Sequence, residues 1–312
     1  MGSADERLSM KRRRVLLAAL ALLPALRIVT SAQRQTASVD LVEIDASVID
    51  DDGRPVAGLK QGDFSVREDG RRVAITTFSE VRGPQPDDPD AARTIVVLLD
   101  DSGVAPSGTA TMQTIARAVL SRAGRYDEVP IVRLHTRADE PYGDRATGEL
   151  RIREYRAGGF PFVFWETSRD TLDRIAGIAR QIAPNAGRRK IVICVGAPFV
   201  CNPDEPSANA PRSFWGSWVR ALTDLAQANA ALYALIPAHG RVRRSGLADL
   251  SGGEVFTAPS DVGPPIDRVL RDAANYYVVG YWPEGKAQEL HRIEVKVMRK
   301  GVRVLARKRR GY

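Results

Sequence analysis

The 312-residue chain has only two cysteines, Cys194 and Cys201, and three histidines. Two thiols cannot build a disulfide scaffold or a four-cysteine zinc module. His135, His239 and His291 stand apart, without metal-ligand spacing, so a zinc enzyme has no ligand cluster to draw on. No G-x-S-x-G sequence occurs, which removes the serine-hydrolase elbow. Gly103 and Gly108 have the spacing of a phosphate loop, but Thr109 and Ala110 follow where the lysine is required. A nucleotide site is rejected on that ground. The apolar run from Val15 to Leu26 is interrupted by Pro24 and is too short to cross a bilayer comfortably as a helix.

What is present is ordinary globular material. A hydrophobic fraction of 44% and a charged fraction of 27% exclude wholesale disorder and a polytopic membrane protein. The length suits one large domain or two modest ones. The net charge of +8 is unevenly placed. Residues 1–32 carry six Lys/Arg against two acids, and residues 286–312 carry ten against two, so the body between them is slightly acidic. A nucleic-acid groove running across the fold is therefore disfavoured.

The amino terminus has the order of a secretory signal. Lys11-Arg12-Arg13-Arg14 precedes the apolar run, and Thr30-Ser31-Ala32 supplies a small-residue end, so residues 1–32 are read as a signal peptide. The consecutive arginines also permit a twin-arginine route, and an uncleaved segment would touch the membrane. Export places the chain in the periplasm, outer envelope or medium, where two cysteines can oxidise. Cys194 sits in an apolar run, so a buried thiol and a bond to Cys201 both remain open.

Three segments follow. Residues 38–82 read as β: Val39, Leu41, Ile44, Ala46 and Val48 suggest a strand with a slip in phase near Glu43, and Glu68-Asp69-Gly70-Arg71 is a hairpin turn. Residues 83–92 form a Pro/Asp linker. From 93 to 275 apolar strands alternate with helix-period stretches, beginning with the unbroken run Thr94 to Leu99 expected of a strand buried on both faces. That alternation predicts an α/β domain with a doubly wound, mostly parallel sheet. Residues 276–312 return to β style. Neither β segment has enough strands to stand alone, so the two are expected to pair into one β-sandwich.

In open α/β sheets ligands sit beyond the carboxyl ends of the strands. The first strand ends in Asp100-Asp101-Ser102, a carboxylate with a hydroxyl two residues on. Thr94 to Ser102 resembles the start of a von Willebrand factor type A domain, whose metal-ion-dependent adhesion site begins Asp-x-Ser-x-Ser. The wider chain resembles the secreted von Willebrand A-related proteins of acidobacteria. The likeness rests on Gly53-Arg54-Pro55-Val56, Asp63-Phe64, Glu68-Asp69-Gly70, Tyr276 to Tyr281 and the end from Val302 to Tyr312. It implies a Rossmann-like von Willebrand A domain carried on flanking β structure. It also implies Mg²⁺ or Mn²⁺ on Asp100, Ser102 and Thr167, with a partner's acidic side chain completing the shell. The site would be degenerate. Val104 stands where the second serine belongs, and Gly196 where aspartate is usual. Without a metal, the same residues would only cap a helix.

A docking face is expected from Asp101, from Phe162, Phe164 and Trp165 in the aromatic stretch, and from Asp204, Glu205 and Trp215. Arg307-Lys308-Arg309-Arg310 suits anionic lipid, a polyanion or a solvated strand end. The expected function is an exported, non-enzymatic adhesion or protein-binding protein with a protein ligand and no nucleic acid. The rivals are an inert component of the envelope and, less well supported, a periplasmic hydrolase using Asp100 and Asp101. Neighbouring residues on a strand tip point apart, which is poor geometry for paired acid–base work.

Overall fold

The computed structural model describes residues 41–83, 88–135, 144–159, 164–185, 189–237, 246–257, 261–283 and 290–310. The expected signal segment, Phe162 and His239 lie outside them. In chain order, four strands come first: β1 (Val42–Asp50), β2 (Phe64–Glu68), β3 (Arg71–Val73) and β4 (Thr77–Val81). The α/β part follows as β5 (Thr94–Leu99), α1 (Thr109–Arg122), β6 (Ile131–Arg133), α2 (Arg145–Glu154), α3 (Phe164–Ile182) and β7 (Lys190–Val195). It continues with α4 (Pro198–Cys201), α5 (Arg212–Gln227), β8 (Ala230–Ile236), α6 (Leu247–Ser251), β9 (Val255–Thr257) and α7 (Gly263–Asp272). Four strands close the chain: β10 (Tyr276–Tyr281), β11 (His291–Val297), β12 (Val302–Leu305) and β13 (Arg309–Arg310).

The expected doubly wound sheet is present. Its order is β6-β5-β7-β8-β9, and every neighbouring pair is parallel. β5 and β7 are buried along their whole length, which is why their sequences are unbroken apolar runs. Helix periodicity decides what covers each face. Leu172, Ile175 and Ala179 of α3 join Phe214, Trp218 and Leu222 of α5 on one side. Met112, Ile115 and Val119 of α1 join Ile266 and Val269 of α7 on the other. The polar helix α2 is not legible from periodicity, because only Gly148, Arg151 and Ile152 are buried along it. Its start is marked instead by the Asp144 carboxylate, which accepts from Thr147 N at 2.8 Å.

The two β segments interleave. One antiparallel sheet runs β12-β1-β10-β4 and the other β13-β11-β2-β3, so each contains strands from both ends of the chain. β4 and β10 are hydrogen-bonded partners, with Tyr276 opposite Val81. The α/β domain thus leaves and rejoins the sandwich at one point, where Gly83 N donates to Asn275 Oδ1 at 3.0 Å. Asp69 and Gly70 adopt positive φ values of 48° and 82° in the β2–β3 turn, the conformation that makes an Asp-Gly hairpin.

The phase slip in β1 has a physical reason: the strand is buried on both faces. Ile44, Ala46 and Val48 face the sandwich core. Asp45 and Ser47 face the α/β domain, where Asp45 pairs with the buried Arg189 at 2.5 Å and Ser47 Oγ donates to the Asp272 carbonyl at 3.0 Å. The Arg189 guanidinium also lies 4.9 Å from the centre of the Tyr276 ring. Alternation in a strand reads as apolar and polar only when one face meets water, and here both meet protein.

Asp272 closes the same junction. It is fully buried and accepts from Arg268 Nε at 3.0 Å. Burial outweighs the favourable arginine, and its carboxyl is pushed up to about 6. A raised carboxyl binds its proton more tightly in the folded state. Its stabilising contribution is therefore complete below the ordinary carboxylate range and is lost as pH rises through about 6. Melting curves between pH 4 and 7 should show wild type losing stability relative to Asp272→Asn, by on the order of 2 kcal/mol across that window. Parallel curves for the two proteins would contradict this.

Candidate functional site

The crevice beyond β5 and β7 lies where the chain order of the sheet reverses, the usual ligand position in such folds. The structure places Asp100, Asp101 and Ser102 there, but it buries all three, Asp100 completely. Asp100 Oδ1 accepts from Ser102 N at 3.0 Å, Ser102 Oγ at 3.2 Å and Gly103 N at 2.7 Å. Its Oδ2 accepts from Ala197 N at 2.9 Å, across the crevice in the segment after β7. Asp101 turns the other way, and its Oδ1 accepts from His135 N at 2.8 Å, just past β6. The two carboxylates straddle β5 and each binds it to a neighbouring strand end.

These interactions correct the expected roles. Asp100 does not cap the next helix, because α1 begins only at Thr109 with Gly108 as its cap. Asp101 is not a docking residue, since it is buried in the sheet end. The Ser102 hydroxyl donates to Asp100 rather than facing a cation. Thr167 lies inside the first turn of α3, where its carbonyl accepts from Thr171 Oγ1 at 2.8 Å.

The donor set does not fit a hard divalent cation, which needs free oxygens in near-octahedral array. Four hydrogen bonds fill most of the accepting capacity of Asp100. The geometry also explains Gly196: a Cβ there would collide with the Asp100 side chain, and one on Gly103 would lie 2.6 Å from Asp100 Oδ2. Among the described residues, no group of three His, Cys, Asp or Glu is arranged to hold a metal ion.

The surrounding loops reinforce the same closure. Tyr155, fully buried at the end of α2, donates its hydroxyl to the Asp100 carbonyl at 2.5 Å. Burial, with the nearby Asp100 and Asp101 charges, pushes the phenol far up, so it remains a donor. Gly158 N then donates to the Asp101 carbonyl at 2.8 Å. On the other side Cys194 and Cys201 form a disulfide, both residues fully buried, with Cα atoms 5.2 Å apart. Of the two readings left open by the sequence, the bond is the one realised. It fixes the turn that carries Ala197 N to Asp100.

The remaining candidates divide. Trp165 packs against the core, its ring 5.0 Å from that of the buried Phe214. Phe164 opens α3. Asp204 bridges to Gly246 at the start of α6, and Glu205 lies 3.8 Å from Arg309 of β13. Trp215 is 37% exposed on the first turn of α5, while Phe214 and Trp218 are buried beside it. Phe199, not singled out from the sequence, is 56% exposed on α4. Its signal was available only as an apolar residue in the turn after a buried strand.

No family model matches the chain, and no curated protein matches it in sequence. The chain is similar to several solved structures. Proximal thread matrix protein 1 from the mussel byssus, determined with a zinc-occupied MIDAS motif, is 15% identical with a TM-score of 0.39, over 63% of this chain and 50% of that one. The TFIIH p34 N-terminal domain is 12% identical with a TM-score of 0.34, over 58% of this chain and 98% of that one. The chain thus spans half the length of the mussel protein it matches.

Removing the Asp100 carboxylate strands three backbone donors and a hydroxyl inside the fold. Asp100→Ala should lower stability by about 3–5 kcal/mol in urea titration. Gly196→Asp, which adds a second carboxylate beside Asp100, should cost about 1–3 kcal/mol by overpacking and confer no Mg²⁺-dependent rise in Tm. A metal-dependent rise in the wild type would refute this account of the site.

Proposed function

We propose that this chain is an exported, non-enzymatic protein-binding protein whose von Willebrand A-like domain docks its partner through apolar contacts rather than a metal. The observation that carries the reading is how the crevice uses its carboxylates. Asp100 and Asp101 are buried acceptors of structural hydrogen bonds, which supports a structural role for them over one as acid, base or ligand. Among the described residues, the same end of the sheet exposes two aromatic side chains. Phe199 and Trp215 follow β7 on α4 and α5, and Val219, 39% exposed, lies one turn beyond Trp215 on the same helix face. Aromatic side chains held on rigid elements are effective interface anchors, because little rotamer freedom is lost on binding. The disulfide at Cys201 adjoins Phe199 and restrains its turn. Export rests on the basic and apolar amino terminus, and the von Willebrand A assignment on the sequence motifs together with the parallel sheet.

Crosslinking of tagged full-length protein in envelope extracts, followed by quantitative mass spectrometry, tests the reading. A specific partner should be retained in the presence of a chelator and lost in Phe199→Ser/Trp215→Ser. Loss on chelation would restore a metal-dependent mode. Undiminished capture by the double variant would remove this face from the interaction.

A further inference from the structure

The two sandwich sheets differ in what covers them. The outward residues of β1 pack against the α/β domain, Asp45 on Arg189 and Ser47 on the Asp272 carbonyl, whereas the outward Arg67 of β2, Arg72 of β3 and Arg292 and Lys296 of β11 are exposed. Strand alternation puts Arg292, Glu294 and Lys296 on that open face of β11, while His291 and Ile293 point inward and are buried; Leu290 and Met298 flank the strand and are exposed. The pairing register sets Arg292 opposite Arg309, Glu294 opposite Arg67, and Arg67 opposite Arg72. Two of these cross-strand pairs are like-charged, an arrangement that costs stability in a free protein.

Two acids, Glu294 and Asp69, lie among these cations and offset part of their charge. The Glu294 carboxylate takes a salt bridge from Lys296 at 2.7 Å. Asp69 accepts from His291 Nδ1 at 2.7 Å and from Arg292 N at 2.8 Å. Between Arg67 and Arg292 lies an open depression of about 410 Å³, lined also by Asp69, Gly70 and Glu294. The cationic row has an apolar residue at each end: Leu290 is 37% exposed and Met298 70%. Arg299 and Lys300 extend the charge past Met298. A polyanion in water would satisfy the arginines but offers nothing to Met298 or Leu290. A bilayer interface satisfies both, with phosphates over the cations and the acyl boundary beneath the apolar ends.

We propose that this sheet face adsorbs to an anionic lipid surface, Arg67, Arg72, Arg292 and Lys296 engaging headgroup phosphates while Leu290 and Met298 enter the interface. Binding is peripheral: among the described residues no helix is long and apolar enough to cross a membrane. An anionic headgroup also relieves the repulsion between Arg67 and Arg72, so the unfavourable pairing in the free protein is converted into attraction on the membrane.

Sedimentation of the full chain with phosphatidylcholine vesicles, with and without phosphatidylglycerol, tests the proposal. The wild type should partition onto the anionic vesicles and not the neutral ones, and should release as salt is raised to about 0.5 M, where screening is short-ranged. Arg67→Glu/Arg292→Glu should weaken partition at least about tenfold. Arg72→Glu, which turns a like-charged pair into an opposite one, should melt higher than wild type and yet bind less. Leu290→Ser/Met298→Ser should weaken vesicle binding and leave binding to dextran sulfate unchanged. Equal partition of wild type and the double charge reversal would place the attraction elsewhere in the chain and overturn the proposal. So would binding of dextran sulfate without binding of vesicles.

Discussion

A single antiparallel pairing, β4 against β10, carries the α/β domain on the sandwich. Because Val81 and Tyr276 lie opposite each other, the chain leaves the sandwich and re-enters it at adjacent backbones. This allows both sheets to be completed by strands that follow the insertion. The consequence is that β1 is buried on two sides, and any polar group on its outer face must find a partner in the other domain. Asp45 does so with Arg189, both almost fully buried. Such a pair adds little net stability over an apolar substitute, but losing one member would leave a charge stranded. It therefore specifies how the domains dock more than it strengthens the docking.

The same logic of obligatory satisfaction shapes the crevice. Parallel strands that end together present unpaired backbone donors in the loops beyond them. In this chain side-chain carboxylates accept from such donors, Asp100 from Ala197 N after β7 and Asp101 from His135 N after β6. Gly196 is the counterpart of that choice, since only the lack of a side chain lets Asp100 fold across the crevice. In packing terms Asp100 and Gly196 are one consistent structural solution.

Charge is distributed by the same topology. The carboxyl-terminal basic excess looked like a tail, and part of it is buried: Arg310 pairs with Glu68 inside the sandwich, and Arg307 bonds to the carbonyls of Ala226 and Glu43. The remainder joins Arg67 and Arg72, which lie more than 200 residues earlier in the chain. No inspection of either segment alone shows a cationic face, because the face exists only in the register between β11 and β2.

Amino-acid pattern by itself determined the layers. Unbroken apolar runs can be accommodated only where both faces of a strand are covered, and helical periodicity between them leaves a doubly wound sheet as the economical arrangement. It also marked the hairpin at Asp69-Gly70, where positive φ is a local demand, and it placed the first strand tip at Asp100. It left α2 unseen, because a helix whose buried face is mostly Gly148, Arg151 and Ile152 has no apolar stripe to read. Tertiary structure alone decided what the tip residues do. A carboxylate behind a buried strand can face a cation or its own backbone, and local sequence is the same in both cases. The approach of the Ala197 amide, brought within 2.9 Å by a neighbouring strand and held by the Cys194–Cys201 bond, selects the second.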